Sequence, residues 1–218
     1  MTGSRISDSA VRRLSLYLRF LRDLRGQGVE LVSSQQLADF TGATAAQVRK
    51  DLSLFGSFGK RGRGYDTRAL TGTLEEILGL GRPWRVCLVG VGKIGTALLG
   101  YRDLSRRGFN VVAAFDAEPD KAGTEVFGVG VSPLSEMPKL VRERRVDIGI
   151  IATPPDAAQE AARQLAEAGV GAILNFAPVE LTTTDHVRVR TMDVVLELEG
   201  LSYLLATEGR SNAVHTRS

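Results

Sequence analysis

The stretch RVCLVGVGKIGTALL, residues 85–99, constrains this chain more than any other. An apolar run from Val86 to Val89 passes directly into Gly90, Gly92 and Gly95 in the order G-x-G-x-x-G, and a helix-forming segment follows from Thr96 to Leu99. Strand, glycine turn and helix in that order open a sheet that holds a dinucleotide. The first glycine permits a tight turn, the second lets the backbone approach a pyrophosphate, and the third allows the helix to pack closely on the strand. Val91, Lys93 and Ile94 complete the turn, where the unpaired amides of a helix start favour an anion. A second apolar strand, NVVAAFD, ends in Asp116, 21 residues beyond Gly95. A carboxylate there accepts hydrogen bonds from the adenosine ribose hydroxyls and repels a 2′-phosphate, which favours NAD(H) over NADP(H).

The rest of this half alternates strands with helices: VGVS, VDIGIIAT and GAILNFA, with PDAAQEAARQLAEAG at 155–169 between the last two. Such alternation predicts an α/β fold with a doubly wound parallel sheet. An oxidoreductase also needs a second substrate and a group that moves a proton. After NFAP only 40 residues remain, too few for a substrate domain. The histidines at 186 and 215 and the lysines at 93, 121 and 139 read as solvated groups, and no metal-ligand cluster or nucleophile elbow is present in the sequence. No catalytic residue is assigned, and the crevice is expected to read a dinucleotide without turning it over. The competing readings are a small NAD-dependent oxidoreductase with a basic N-terminal arm and a CoA-binding module. Asp116 argues against the second.

Charge separates the two halves. Residues 1–84 carry 13 Lys plus Arg against 8 Asp plus Glu, whereas residues 85–218 carry 15 against 17. A basic front suits a polyanionic partner. Its first segment, SAVRRLSLYLRFLRDLRGQG, sets Val11, Leu14, Leu18 and Leu21 on one helical stripe and ends at glycine. Ser33 with Gln36, and Thr44 with Gln47, read as two capping boxes that open two short helices separated by TGA, a helix-turn-helix pattern. In the second helix Val48, Leu52 and Phe55 are expected to pack inward. Gln47, Arg49, Lys50 and Ser53 are then left to grip phosphates and reach base edges in a major groove. The following GSFGKRGRGYD reads as a wing that lays Lys60, Arg61, Gly62 and Arg63 along a sugar-phosphate backbone.

Glycines and Pro83 in GLGRPWR mark a boundary, giving a winged-helix DNA-binding unit over 1–82 and a dinucleotide-binding unit over 83–191. A C-terminal helix is expected over 192–210, followed by a disordered tail over 211–218. Its residues Leu198, Leu201, Leu204 and Leu205 form an apolar face too large for one sheet edge. That face suits either docking on its own sheet or exchange between subunits. The one cysteine, Cys87, lies within the first strand, which fits a packing role and a reducing cytoplasm. No run reaches the ~20 apolar residues that span a bilayer, and residues 1–13 hold no hydrophobic signal core. A soluble protein is expected.

The stretches QVRKDLSLFGSFGKRGRGY, LVGVGKIGTALLGY, FD with DKAG, and ILNFAPV together resemble the Rex family of redox-sensing transcriptional repressors, over nearly the whole chain. The resemblance implies a homodimer that binds a palindromic operator and is released by NADH, with NAD(H) a sensed ligand. It also implies that Tyr101 lies near the nicotinamide and that Asp193 and Arg19 join it in a relay between cofactor pocket and DNA-binding domain. Val194 stands where some members carry an aromatic residue.

Overall fold

The computed structural model describes residues 6–56 and 64–215, with side chains to residue 207. The chain divides into two compact units, Met1–Arg82 and Pro83–Ser218.

The first unit contains α1 (Asp8–Gly26), β1 (Leu31–Val32), α2 (Ser34–Thr41), α3 (Ala45–Ser53), β2 (Tyr65–Asp66) and α4 (Thr67–Ile77). Side-chain caps start its helices: Ser7 accepts from the Ala10 amide, Ser33 from Gln36, Thr44 from Gln47 and Asp66 from Ala69. Ser33 and Gln36 form the full reciprocal box. At Thr44 only the forward half forms, because the Gln47 side chain donates to Asp51 instead. Leu14, Leu18 and Leu21 of α1 pack with Leu37, Val48, Leu52, Leu70 and Leu74 into one core, while Val11 and Phe55 stay half-buried. The β1–β2 pair was not legible in the sequence. Two-residue strands are too short to show a period, yet Val32 and Tyr65 pair antiparallel and close the unit on either side of the helix-turn-helix.

The second unit contains β3 (Trp84–Val89), α5 (Lys93–Leu99), α6 (Asp103–Arg106), β4 (Phe109–Asp116), β5 (Glu125–Val126), β6 (Val129–Pro133), α7 (Met137–Glu143), β7 (Ile148–Ile151), α8 (Pro155–Glu167), β8 (Ala172–Asn175), β9 (Arg188–Thr191) and α9 (Val194–His215). The sheet order is β5-β6-β4-β3-β7-β8-β9, and every neighbouring pair is parallel except β5–β6, a hairpin. Without that hairpin strand the order is 3-2-1-4-5-6, whose direction reverses between β3 and β7. The period-two alternation of β3 explains why helices cover both faces. Cys87 and Val89 join the core with Met137, Val141 and Leu165 of α7 and α8, while Val86 and Leu88 join the core that meets Leu98 and Leu99 of α5. Helix α9 runs to His215, past the expected end at 210 and through five residues of the expected tail. No proline follows Val194 to interrupt its backbone ladder.

Candidate functional site

The glycine turn sits where the order of the sheet reverses. Gly90 has φ +95°, and a Cβ on it would lie 2.6 Å from the Ala152 carbonyl oxygen at the end of β7. Gly95 packs still closer: a Cβ there would stand 2.0 Å from the Gly90 carbonyl oxygen and 3.2 Å from Leu88. Gly92, which caps α5, has open space where a Cβ would be, and Lys93 and Ile94 beside it are exposed, whereas Val91 is buried. The turn is thus pinned from behind and open in front.

Asp116 closes this crevice from the end of β4 and is only 8 % exposed. Its Oδ2 accepts from the Val91 amide at 2.6 Å, its Oδ1 from the Glu118 amide at 2.9 Å, and Lys121 Nζ lies 3.3 Å from Oδ2. Burial pushes its pKa up, but the Glu118 and Val91 amides and Lys121 outweigh that and hold it below the ordinary carboxylate range. Lys121 also reaches Glu118 at 3.1 Å, so it belongs to the crevice and is not the solvated group its sequence position suggested. Spacing alone could not reveal this, because the short 3₁₀ turn Pro119–Lys121 folds the lysine back.

These residues fit a dinucleotide on two observations of the structure. A carboxylate has about four acceptor positions, and Asp116 uses three. Thr153, next to Ala152 at the mouth, carries a buried hydroxyl with no hydrogen-bond partner among the described residues. Below the crevice, fully buried Asn175 donates to the carbonyls of Ala177 and Val179 and accepts from the Ala177 amide, which shapes the NFAPV loop. Burial pushes the Cys87 thiol up to about 12, in keeping with packing.

Tyr101 is 57 % exposed and lines a cavity of about 530 Å³ with Leu98, Phe109 and Phe127. Asp193 lines a different cavity, with Leu181, Thr191 and Leu196, and its Oδ1 caps α9 by accepting from the Val195 amide at 2.8 Å. Within one chain no hydrogen bond joins these two residues. Arg19 is exposed on α1. On α9, Leu198, Leu201, Leu204 and Leu205 are 54–71 % exposed, so the helix does not dock on its own sheet.

On α3, Arg49, Lys50 and Ser53 face solvent as expected. Arg49 donates to Ser34 Oγ at 3.1 Å, and the Ser53 hydroxyl donates back to the Lys50 carbonyl. Gln47 departs from expectation: it is half-buried and its amide is committed to Asp51. Lys60, Arg61, Gly62 and Arg63 lie outside the described residues. Asp51, which the sequence did not single out, is 2 % exposed and accepts from Arg13 Nε and Nη2 at 2.6 and 2.7 Å, from the Tyr17 hydroxyl at 3.0 Å and from Gln47 Nε2 at 2.7 Å. Burial raises its pKa, and the bonds from Arg13, Gln47 and Tyr17 bring it below the usual range. Burial, with Asp51 beside it, lifts Tyr17 to about 12. Among the described residues no group of three or more His, Cys, Asp or Glu could hold a metal ion, and no helix is long and apolar enough to cross a membrane.

A helix-turn-helix unit with an exposed cationic face, in one chain with a dinucleotide-type sheet, defines a class: a DNA-binding regulator that carries a nucleotide crevice. Residues 5–53 match the family model "Putative DNA-binding protein N-terminus" and residues 81–179 match "CoA binding domain". The redox-sensing transcriptional repressor Rex of Desulforamulus reducens is 44 % identical over 94 % of this chain and 98 % of its own length. That of Roseiflexus sp. is 45 % identical over 92 % and 91 %. The crystal structure of RSP, a Rex-family repressor, in complex with NAD+ and operator DNA superposes with a TM-score of 0.89 at 33 % identity, covering 99 % of both chains. RSP in complex with NADH gives 0.86 at 32 %, covering 97 % of this chain and 99 % of that one. The chain belongs to the Rex family of redox-sensing transcriptional repressors.

Proposed function

We propose that this protein is a homodimeric repressor that holds a palindromic operator and releases it when NADH binds, the dinucleotide being sensed and not turned over. The observation that carries this reading is the match of the whole chain, both units together, to RSP, whose structures contain NADH in one case and NAD+ with operator DNA in another.

In this reading Gly90, Val91, Gly92, Lys93, Ile94 and Gly95 cradle the pyrophosphate, and the remaining acceptor position of Asp116 takes a ribose hydroxyl. Tyr101 and Asp193 serve the nicotinamide end. The reduced nicotinamide ring is neutral and the oxidised ring a cation, so a water-poor wall favours the reduced form. Arg49, Lys50 and Ser53 of α3 and the wing residues Lys60, Arg61, Gly62 and Arg63 hold the duplex, with Gln47 at the helix start nearest the bases. Helix α9, uncovered in one chain, is seated on a second copy and exchanged between subunits. Arg19, Tyr101 and Asp193 carry the signal from crevice to DNA-binding unit, and the two ligands are then reciprocally antagonistic. Swinging the population from 1:99 to 99:1 takes about 5.5 kcal/mol of preferential binding.

The test is a gel shift on a palindromic duplex that this protein selects from a randomised pool, with NADH and NAD+ titrated in parallel. Release by NADH at concentrations where NAD+ leaves the complex intact is expected. Occupancy indifferent to saturating NADH overturns the reading. Asp193→Ala separates out the relay, since an unaltered release curve in that variant removes it.

A further inference from the structure

One residue on the operator-facing helix has its hydrogen-bonding polarity fixed from inside the protein. Gln47 is the third residue of α3, and its Nε2 donates to Asp51 Oδ1 at 2.7 Å. A carboxylate oxygen can only accept, so the amide cannot turn over: the nitrogen end faces Asp51 and Oε1 faces away. Asp51 is itself held in place by both nitrogens of the Arg13 fork and by the Tyr17 hydroxyl. No hydrogen bond reaches Gln47 Oε1 among the described residues.

An unrestrained glutamine reads adenine with both ends, donating to N7 while accepting from N6. A clamped one has one N–H spent on Asp51 and its orientation fixed, so Oε1 leads and only the second N–H is left for a neighbouring acceptor. In the major groove the bases that offer a donor are adenine, at N6, and cytosine, at N4, whereas guanine N7 and O6 and thymine O4 are acceptors. Exposed Arg49 and Lys50 are donors only, so they cannot serve these amino groups.

Building on the operator-binding reading above, we propose that Gln47 is a specificity-determining residue that reads an exocyclic amino group, adenine N6 or cytosine N4, through Oε1. Asp51 is its positioning residue. A position in each half-site is thereby selected for a donor and against guanine and thymine on the strand that faces α3.

The experiment uses the full-length protein and its selected operator in a competition anisotropy assay. Each adenine in a half-site and its symmetry mate is replaced in turn by purine, and each cytosine by 2-pyrimidinone, which removes the amino group alone. For the wild type one such replacement is expected to weaken binding about tenfold. Gln47→Leu loses that sensitivity and keeps the ranking of the other positions. Asp51→Asn, whose carboxamide can offer N–H to Oε1, lets the amide turn and flattens the preference at that position alone. Should Asp51→Asn fail to fold, Gln47→Leu decides. Specific binding with the same amino-group sensitivities in wild type and Gln47→Leu overturns the inference and leaves the operator reading standing. Absence of any specific duplex binding overturns both.

Discussion

Two buried aspartates, one in each unit, make an instructive pair. Asp51 and Asp116 are both nearly inaccessible, and both are held below the ordinary carboxylate range. They differ in who holds them. Asp51 accepts four bonds, all from side chains, three of them from α1. Asp116 accepts two from backbone amides and one from Lys121. With about four acceptor positions on a carboxylate, Asp51 is saturated and Asp116 is one short. A carboxylate held on all sides by side chains of its own unit clamps that unit, whereas Asp116, held by two amides and a lysine at the end of β4, is the one that the proposed function assigns to the ribose.

The largest expected effect tests the clamp. Asp51→Ala strands the Arg13 charge and the Tyr17 hydroxyl and is expected to cost about 3 kcal/mol in urea unfolding. Asp116→Ala should cost less, about 1–2 kcal/mol, because Lys121 and the Glu118 amide can return to water. Equal losses would erase the distinction. The proposed ribose contact is tested by ligand: Asp116→Asn is expected to weaken NADH about tenfold in a fluorescence titration, the scale of one hydrogen bond to a charged group. Full affinity in that variant would mean that the ribose is held elsewhere.

Acidification probes both residues. Each holds its proton less tightly when folded than in the unfolded chain, so the unfolded state takes up protons first as pH falls. Their stabilisation is complete above the ordinary carboxylate pKa of about 3.9 and drains away below it, through the depressed folded values. Urea midpoints at pH 6 and pH 3 should therefore differ more for the wild type than for Asp51→Asn. The smallest effect is alkaline. Tyr17, raised to about 12, binds its proton more tightly when folded, so its contribution is complete below pH ~10 and lost as pH rises through the folded value. Tyr17→Phe should cost about 1 kcal/mol at neutral pH and shallow the decline above pH 10. An unchanged alkaline limb would place that hydroxyl outside the clamp.

The crevice was legible because its logic is local. Gly90, Gly95 and Asp116 are specified by spacing along two strands and one turn, and parallel register carries Asp116 beside the turn with Phe115 opposite Val89. Lys121 read as solvated because only a folded turn returns it to Asp116. On α3 the inward positions Val48 and Leu52 followed from helical period, and so did the outward Arg49 and Lys50. Gln47 could not be placed by period alone, since its partner's own anchors lie on another helix.

By itself, then, the sequence determined the α/β plan, the glycine turn, the carboxylate at the end of β4 and the amphipathic helices, because periodicity and turn chemistry act over a few residues. Only the tertiary structure decided that Asp51, 38 residues from Arg13, is the buried anchor of α3, and that α9 does not bury its leucines against its own chain. Both are outcomes of which segments meet across a core. A one-dimensional pattern can say that a side chain is charged or apolar, but burial and pairing depend on what packing brings against it.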